Sequence, residues 1–360
     1  MRQFGTPNSA MYWPMPLACR LWRWSGLDAF VSKSEDQDLF GHQPVETRFL
    51  AELESLGKTT DIGSAVTLEA GPSLTLEPFA TRGHWKHMIS RLFAKRSPKS
   101  ALRAACAPPD CIIWAVGDIH GRLDLADRLI QAIRADLYSS KVERRVIVFL
   151  GDHIDRGPDS KGVLGQICIL AADPHLEVHC IRGNHEDRME AFLLDPAVGP
   201  SWCEYGGRDT LSSYGVSPPA MRGDMDGWAE TARSMAGALP PSHRQLLERQ
   251  TWSVTIGDYF FCHAGVRPGV SLASQAPEDL MWIRQPFLDH PKPFEKVVVH
   301  GHTPTETIVS DARRISVDTG AYATNVLSAV RLEGETRILL QARGRAGQIS
   351  VETTPLPVGS

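Results

Sequence analysis

Between residues 111 and 194 one pattern of apolar and polar positions occurs three times. An apolar run is followed by a short polar cluster with glycine, and then by apolar residues at helical spacing. The runs 111-CIIWAV-116, 145-RVIVFL-150 and 176-LEVHCI-181 have the length and β-branched content of buried strands. Helical periodicity follows in 124-DLADRLIQAIRADL-137, from about 160 to 170, and through 187-DRMEAFLL-194. Strand, loop and helix in series predict an α/β fold whose strand carboxyl ends converge on one edge. Residues 195–250 are richer in Gly, Pro and Trp and read as a mostly helical cap insertion. After them come further β-type segments: 251-TWSVTIG-257, 259-YFFCHAG-265, 296-KVVVHGHTP-304, 314-RISVDTG-320, 326-VLSAVRLEG-334 and 336-TRILLQAR-343.

The ends of the chain lack this patterning. Residues 1–105 read as a poorly structured extension and linker, with short helical pieces at 46–57 and 85–96. The linker runs through 97-SPKSALRAACAPPD-110, and Met88 is an alternative start. The second helical piece is basic, which fits either a membrane or acidic partner or a solvated lead-in. The catalytic domain is expected over 106–345, and the tail 346–360 is expected to be loose.

Composition narrows the class. The 360 residues are 42% hydrophobic and 22% charged, with net charge −4, so a large core can form and no nucleic-acid footprint is evident. The seven cysteines are scattered without a CxxC, which argues for free thiols in a reducing compartment. No apolar run is long enough for a membrane span, and no signal-peptide core precedes the domain, so the cytoplasm is the expected location.

The candidate chemistry lies at five strand ends. They deliver Asp118 and His120, Asp152, Asn184 and His185, His263, and His302, each flanked by glycine. Singly, each has an ordinary explanation as a cap, a turn or a core histidine. Together, carboxylates, an amide oxygen and imidazoles form a ligand set suited to Mn, Fe or Zn more than to Ca. Two carboxylates in a dry pocket also require a compensating cation. The 223-GDMDG-227 stretch lacks the later ligands of a calcium loop. Phosphate-cradling P-loop and serine-hydrolase motifs are absent, and Trp202, Trp228, Trp252 and Trp282 read as packing residues.

The series GD-x-HG (117–121), GD-xx-DRG (151–157), GNHE (183–186), HAG (263–265) and HGHTP (300–304) resembles the calcineurin-like metallophosphoesterases. More narrowly it resembles their bacterial and phage phosphoprotein phosphatases. The resemblance implies a four-layer α/β/β/α sandwich with two divalent metal ions, manganese before iron or zinc. Carried over, Asp118 and His120 hold the first metal, Asp152 bridges, and Asn184, His263 and His302 complete the second. It further implies in-line attack by a metal-bridging hydroxide, with His185 as general acid oriented by Asp155. Arg156, Arg182 and Arg284 would bind phosphate, and His300 would play a supporting role. His153 occupies a position usually filled by Tyr and is the expected bystander.

The expected substrate is phosphoserine or phosphothreonine on proteins. The alternative is a symmetrical diadenosine-polyphosphate hydrolase, a branch that usually has Ala at the position of Asp155 and GNHD in place of GNHE. A non-catalytic phosphoprotein-binding relative would lack a ligand, and none is missing. The segment 204-EYGGRDTLSSYG-215 resembles the Gly-Gly cap motif of bacterial members, with Tyr205 in place of the usual Asn.

Overall fold

A computed structural model describes residues 104–345 and 347–357. The helical pieces expected at 46–57 and 85–96, and the alternative start at Met88, lie outside the described residues.

Strands β1 (Cys111–Val116), β2 (Arg144–Phe149) and β3 (Glu177–Cys180) pair in parallel. Strand β8 (Val326–Glu333) joins β1 antiparallel, and β9 (Thr336–Arg345) and β10 (Gln348–Pro355) extend that side. The resulting six-stranded sheet has the order β10-β9-β8-β1-β2-β3. A second sheet has the order β4-β5-β6-β7, from Ser253–Ile256, Tyr259–Cys262, Val297–His300 and Arg314–Ser316.

Alternation along the strands builds the layers. Ile112, Trp114 and Val116 of β1 pack with helix α1 (Leu123–Ser139) and helix α2 (Ser160–Ala171). Cys111, Ile113 and Ala115 point the other way, against Tyr259, Phe261 and Val299 of the second sheet. Phe260, Cys262 and Val298 then cover the outer face together with Leu280, Ile283 and Phe287. Apolar side chains on both faces of each sheet explain why these strands read as continuous apolar runs. The arrangement is helix, sheet, sheet, helix, as the resemblance implied.

Helix α3 (Asn184–Leu194) follows β3 directly. The 195–250 insertion is helical, with a turn at Gly199–Trp202, helix α4 (Arg208–Ser213), helix α5 (Met225–Ala238) and helix α6 (Pro241–Glu248). The calcium-loop lookalike is a helix cap: Asp224 accepts from Gly227 N at the start of α5.

Two expectations need correction. The tail read as loose contains β10, which pairs with β9 over eight residues. Its alternating but largely exposed side chains left no apolar signal, and the edge of β9 supplies the hydrogen bonds that order it. The end of the supposed linker is also tied down. Tyr259 OH donates to Ala105 O at 3.1 Å, Cys106 N to Asp258 Oδ2, and Ala107 N to Gly334 O.

Candidate metal centre and phosphate site

The five motifs leave the carboxyl ends of β1, β2, β3, β5 and β6 and meet in one buried cluster. His120, Asp152, His263 and His302 all adopt left-handed or inward-facing positions at these ends, with positive φ at His120, Asp152 and His302. Asp155 and Arg156 also have positive φ. Non-glycine residues held there cost backbone energy, and five of the seven in the described chain sit at this cluster. Gly301 shows why small residues flank the ligands: a Cβ there would collide with the Asp118 carboxylate.

Asp152 is shared by two groups whose candidate ligand atoms lie within 4.8 Å of one another, His120–Asp152–His185 and Asp152–His263–His302. Asn184 Oδ1 lies 2.9 Å from both His263 Nε2 and His302 Nδ1. Asp118 Oδ2 accepts from His302 N at 3.0 Å, whereas its Oδ1 is buried without a protein partner. His302 Nε2 is likewise unpartnered. The first group thus contains His185 where the resemblance placed Asp118, although Asp118 stays joined to the cluster through His302.

Hydrogen bonds on the far side of the rings set the tautomers. His120 Nδ1 lies 2.9 Å from Ile154 O and His263 Nδ1 lies 2.8 Å from Leu150 O. Carbonyls only accept, so each Nδ1 carries a proton and each Nε2 faces the cluster. Burial pulls the His120 pKa down to about 3, and burial with the neighbouring His263 pulls His302 down to about 2. Both are neutral imidazoles, the form that binds cations. Burial also opposes charge on His263 and Asp152. Their mutual attraction overcomes it, raising His263 to about 10 and holding the Asp152 carboxyl well below its usual range. Burial and the nearby Asp318 push Asp118 well upward. The donors, the orphaned Asp118 oxygen and the shared Asp152 fit a pair of divalent ions.

His185 Nδ1 lies 2.7 Å from Asp155 Oδ2 in full burial. Burial works against its charge, but Asp152 and Asp155 outweigh that and raise the His185 pKa. Asp155 is fastened by the cap. Trp202 Nε1 donates to Oδ2 at 2.8 Å and Thr210 Oγ1 to Oδ1 at 2.5 Å. Burial nonetheless raises the Asp155 pKa against these bonds. The Gly-Gly pair has a mechanical reason. Gly206 has φ 109°, and a Cβ there would lie 2.6 Å from Arg156 N, whose N–H donates to Gly206 O. Tyr205, beside it, is exposed.

The arginines divide. Arg156 Nη1 lies 3.1 Å from His120 Nε2, with its guanidinium over the Tyr322 ring. Arg284 is exposed and donates to Thr303 Oγ1, next to His302, at 3.4 Å. Arg182 is not brought to the cluster in the same way. It pairs with Glu190 of α3, donates to Leu247 O and stacks on Trp252. Adjacency in sequence placed it beside the ligands, and the α3 carboxylate claims it. His300 is satisfied by Gly301 O and Arg314 Nη1. His153 is fully buried, edge-on to Phe149, with neither ring nitrogen hydrogen-bonded.

Glu186, Tyr322 and Trp202 have site positions that sequence reasoning did not assign. Glu186 accepts from the backbone N–H groups of Asp152, His153, Ile154 and Gly183. It holds the loop that carries Asp152. A glutamate three residues after Gly183 at a helix start was the available signal. Nothing in the sequence pointed to Tyr322, which is distant in the chain from its partners.

A four-layer α/β sandwich with a shared carboxylate between two histidine groups defines a metallophosphoesterase. The chain matches the calcineurin-like phosphoesterase family over residues 112–336 and belongs to it. It is 35% identical over 226 residues to serine/threonine-protein phosphatase 1 of Salmonella typhimurium, covering 61% of this chain and 92% of that protein. It is 23% identical over 252 residues to an asymmetrical bis(5'-nucleosyl)-tetraphosphatase of Geobacillus thermodenitrificans, covering 62% and 91%. A symmetrical bis(5'-nucleosyl)-tetraphosphatase of Acidovorax is 32% identical over 156 residues, 43% of this chain and 44% of that protein. Among solved structures, a cold-active protein-tyrosine phosphatase of a psychrophilic Shewanella aligns over 69% of this chain and 83% of its own, at TM-score 0.42 and 17% identity. The protein is a phosphoester hydrolase. Among the described residues, no helix is long and apolar enough to cross a membrane.

Proposed function

We propose that this phosphoesterase removes phosphate from phosphoserine and phosphothreonine on proteins, with manganese as the resident ion. The observation that carries the reading is the buried His185–Asp155 contact at 2.7 Å. Serine and threonine leave as alkoxides, which are strongly basic and need a proton donor at the moment of cleavage. Asp155 holds Nδ1 of the His185 ring and leaves Nε2 toward the cluster, 3.9 Å from Asp152 Oδ2, and Trp202 and Thr210 fix Asp155.

Asp118, His120, Asp152, Asn184, His263 and His302 would hold two divalent ions, which supply Lewis-acid polarisation of the phosphoryl oxygens and an activated water. Arg156 and Arg284 bind the outer phosphate oxygens as forked donors. Arg182, neutralised by Glu190, steadies the start of α3. The six described cysteines are free thiols, which supports action in the reducing cytoplasm.

Diadenosine polyphosphate cleavage is the second reading, favoured by the two tetraphosphatase relatives. Asp155 and Glu186 favour the protein-phosphatase side. The test is an assay panel with Mn²⁺ comparing phosphopeptides, an aryl phosphate and diadenosine tetraphosphate. Preference for phosphopeptides over the dinucleotide is expected, and the reverse order overturns the assignment.

A further inference from the structure

Arg188 lies on the same side of α3 as Asn184 and His185, four and three residues earlier. Its guanidinium lies over the indole of Trp282, 5.2 Å from the ring centroid. Trp282 is half-exposed, and its ring meets the ligand candidate His302 edge-on at 6.2 Å. Two residues further, exposed Arg284 reaches Thr303 on the same side of the cluster. Among the described residues neither Arg188 nor Arg284 has a carboxylate within ion-pair distance, whereas Glu190 takes up the charge of Arg182. Stacking on Trp282 also limits the Arg188 side chain before any ligand arrives, so less freedom is lost on binding an anion.

The geometry points to a second anion subsite, formed by Arg188 on Trp282 beside the phosphate-binding Arg284, that takes the carboxylate of an acidic residue flanking the phosphorylated one. This rests on the phosphoprotein reading and sharpens its substrate class. His185 protonates the leaving oxygen, so the peptide bearing that oxygen runs past the start of α3, and Arg188 is the next turn. One helical turn spans about 5.4 Å. Side chains on one side of an extended peptide recur every ~7 Å, so an acid two residues from the phosphoserine reaches that turn. The second phosphate of an anhydride lies closer to the first and falls to the cluster and Arg156 instead.

The experiment uses the full chain with Mn²⁺ and three phosphopeptides that differ only by Glu, Ala or Lys two residues from the phosphoserine. The expected order of kcat/KM is Glu, Ala, Lys, with Glu over Ala by about threefold, the worth of an exposed charge pair. Arg188→Ala brings the Glu-to-Ala ratio to near one, Arg188→Glu inverts the order, and Arg188→Lys keeps it. Each ratio is taken on a single preparation, so partial loss of folded enzyme cancels. Equal cleavage of all three by the unaltered protein, or a Glu preference that survives Arg188→Ala, overturns the subsite while the phosphoprotein reading stands. Cleavage of diadenosine tetraphosphate with none of the peptides overturns that reading, and the acidic-flank subsite with it.

Discussion

Trp202 donates its indole N–H to Asp155 Oδ2, the same oxygen that meets His185 Nδ1, at 2.8 and 2.7 Å. A residue of the cap insertion therefore helps orient His185, the proposed general acid. Trp202→Phe keeps the stack on Phe192 and removes the donor. The expected cost is about 1–2 kcal/mol of stability. A several-fold fall in kcat on phosphopeptides should accompany it, with KM little changed. Denaturant unfolding and steady-state kinetics measure the two effects.

The proton-donor role of His185 can be read from the leaving group. An aryl phosphate departs as a stabilised phenolate and needs little protonation, whereas phosphoserine needs it fully. His185→Asn is expected to lose about 10²–10⁴-fold on phosphopeptides and far less on the aryl ester. Asp155→Asn should show the same asymmetry in weaker form. Equal losses on both substrates would remove His185 from that role.

Asp152 belongs to both groups of ligand atoms, so its replacement disturbs both ions. Asp152→Asn is expected to lower bound metal and activity together. His185→Asn should leave most of the metal in place, despite its nearness to the first group. Metal content after gel filtration, measured for both variants, distinguishes a ligand from a proton donor.

Glu186 accepts four backbone N–H groups from two motif loops. In Glu186→Gln one oxygen becomes a donor facing donors, which leaves buried N–H groups unsatisfied. A loss of about 3 kcal/mol is expected. Weaker metal binding should follow, because the Asp152 loop loses its brace. Unchanged unfolding midpoints would contradict this role.

At the edge of the parallel strands, Arg144 and His179 hold Glu177, whose pKa falls to about 2, chiefly through the Arg144 hydrogen bonds. A depressed carboxyl pKa gives stability that is present above the ordinary value near 4.5 and lost as pH falls through about 2. Because the pair is partly exposed, the gain is small. The melting temperature of Glu177→Gln should lie slightly below that of the unaltered protein at pH 6, and the gap should close on acidification. A gap independent of pH would assign the effect to packing.

The candidate cluster was legible because each of its residues follows an apolar strand and lies near a glycine, a local arrangement that survives in one dimension. The same locality gave no sign that Arg182, close in sequence to a candidate ligand, has Glu190 on the next helix as its charge partner. It was silent on Tyr322, which meets His120 and Arg156 only because β7 and β8 return to the cluster. The tail strand β10 was missed because an edge strand is ordered by main-chain bonds to β9, which leave little mark on side-chain polarity.

Residue order alone determined the strand–motif–helix series, the order of the five motifs and the crowding of Asp152, Asp155 and Arg156 behind one buried strand. Those features follow from backbone periodicity and from the chemistry each side chain carries. Tertiary structure decided which face of each apolar strand meets helices and which meets the second sheet, since both faces are buried and sequence alternation is silent. It also decided that the cap locks Asp155 through Trp202 and Thr210, and that Arg188 stacks on Trp282, whose ring meets His302. Such relationships are set by distance across elements, and hydrogen bonds and charges act over ångströms regardless of how many residues separate them.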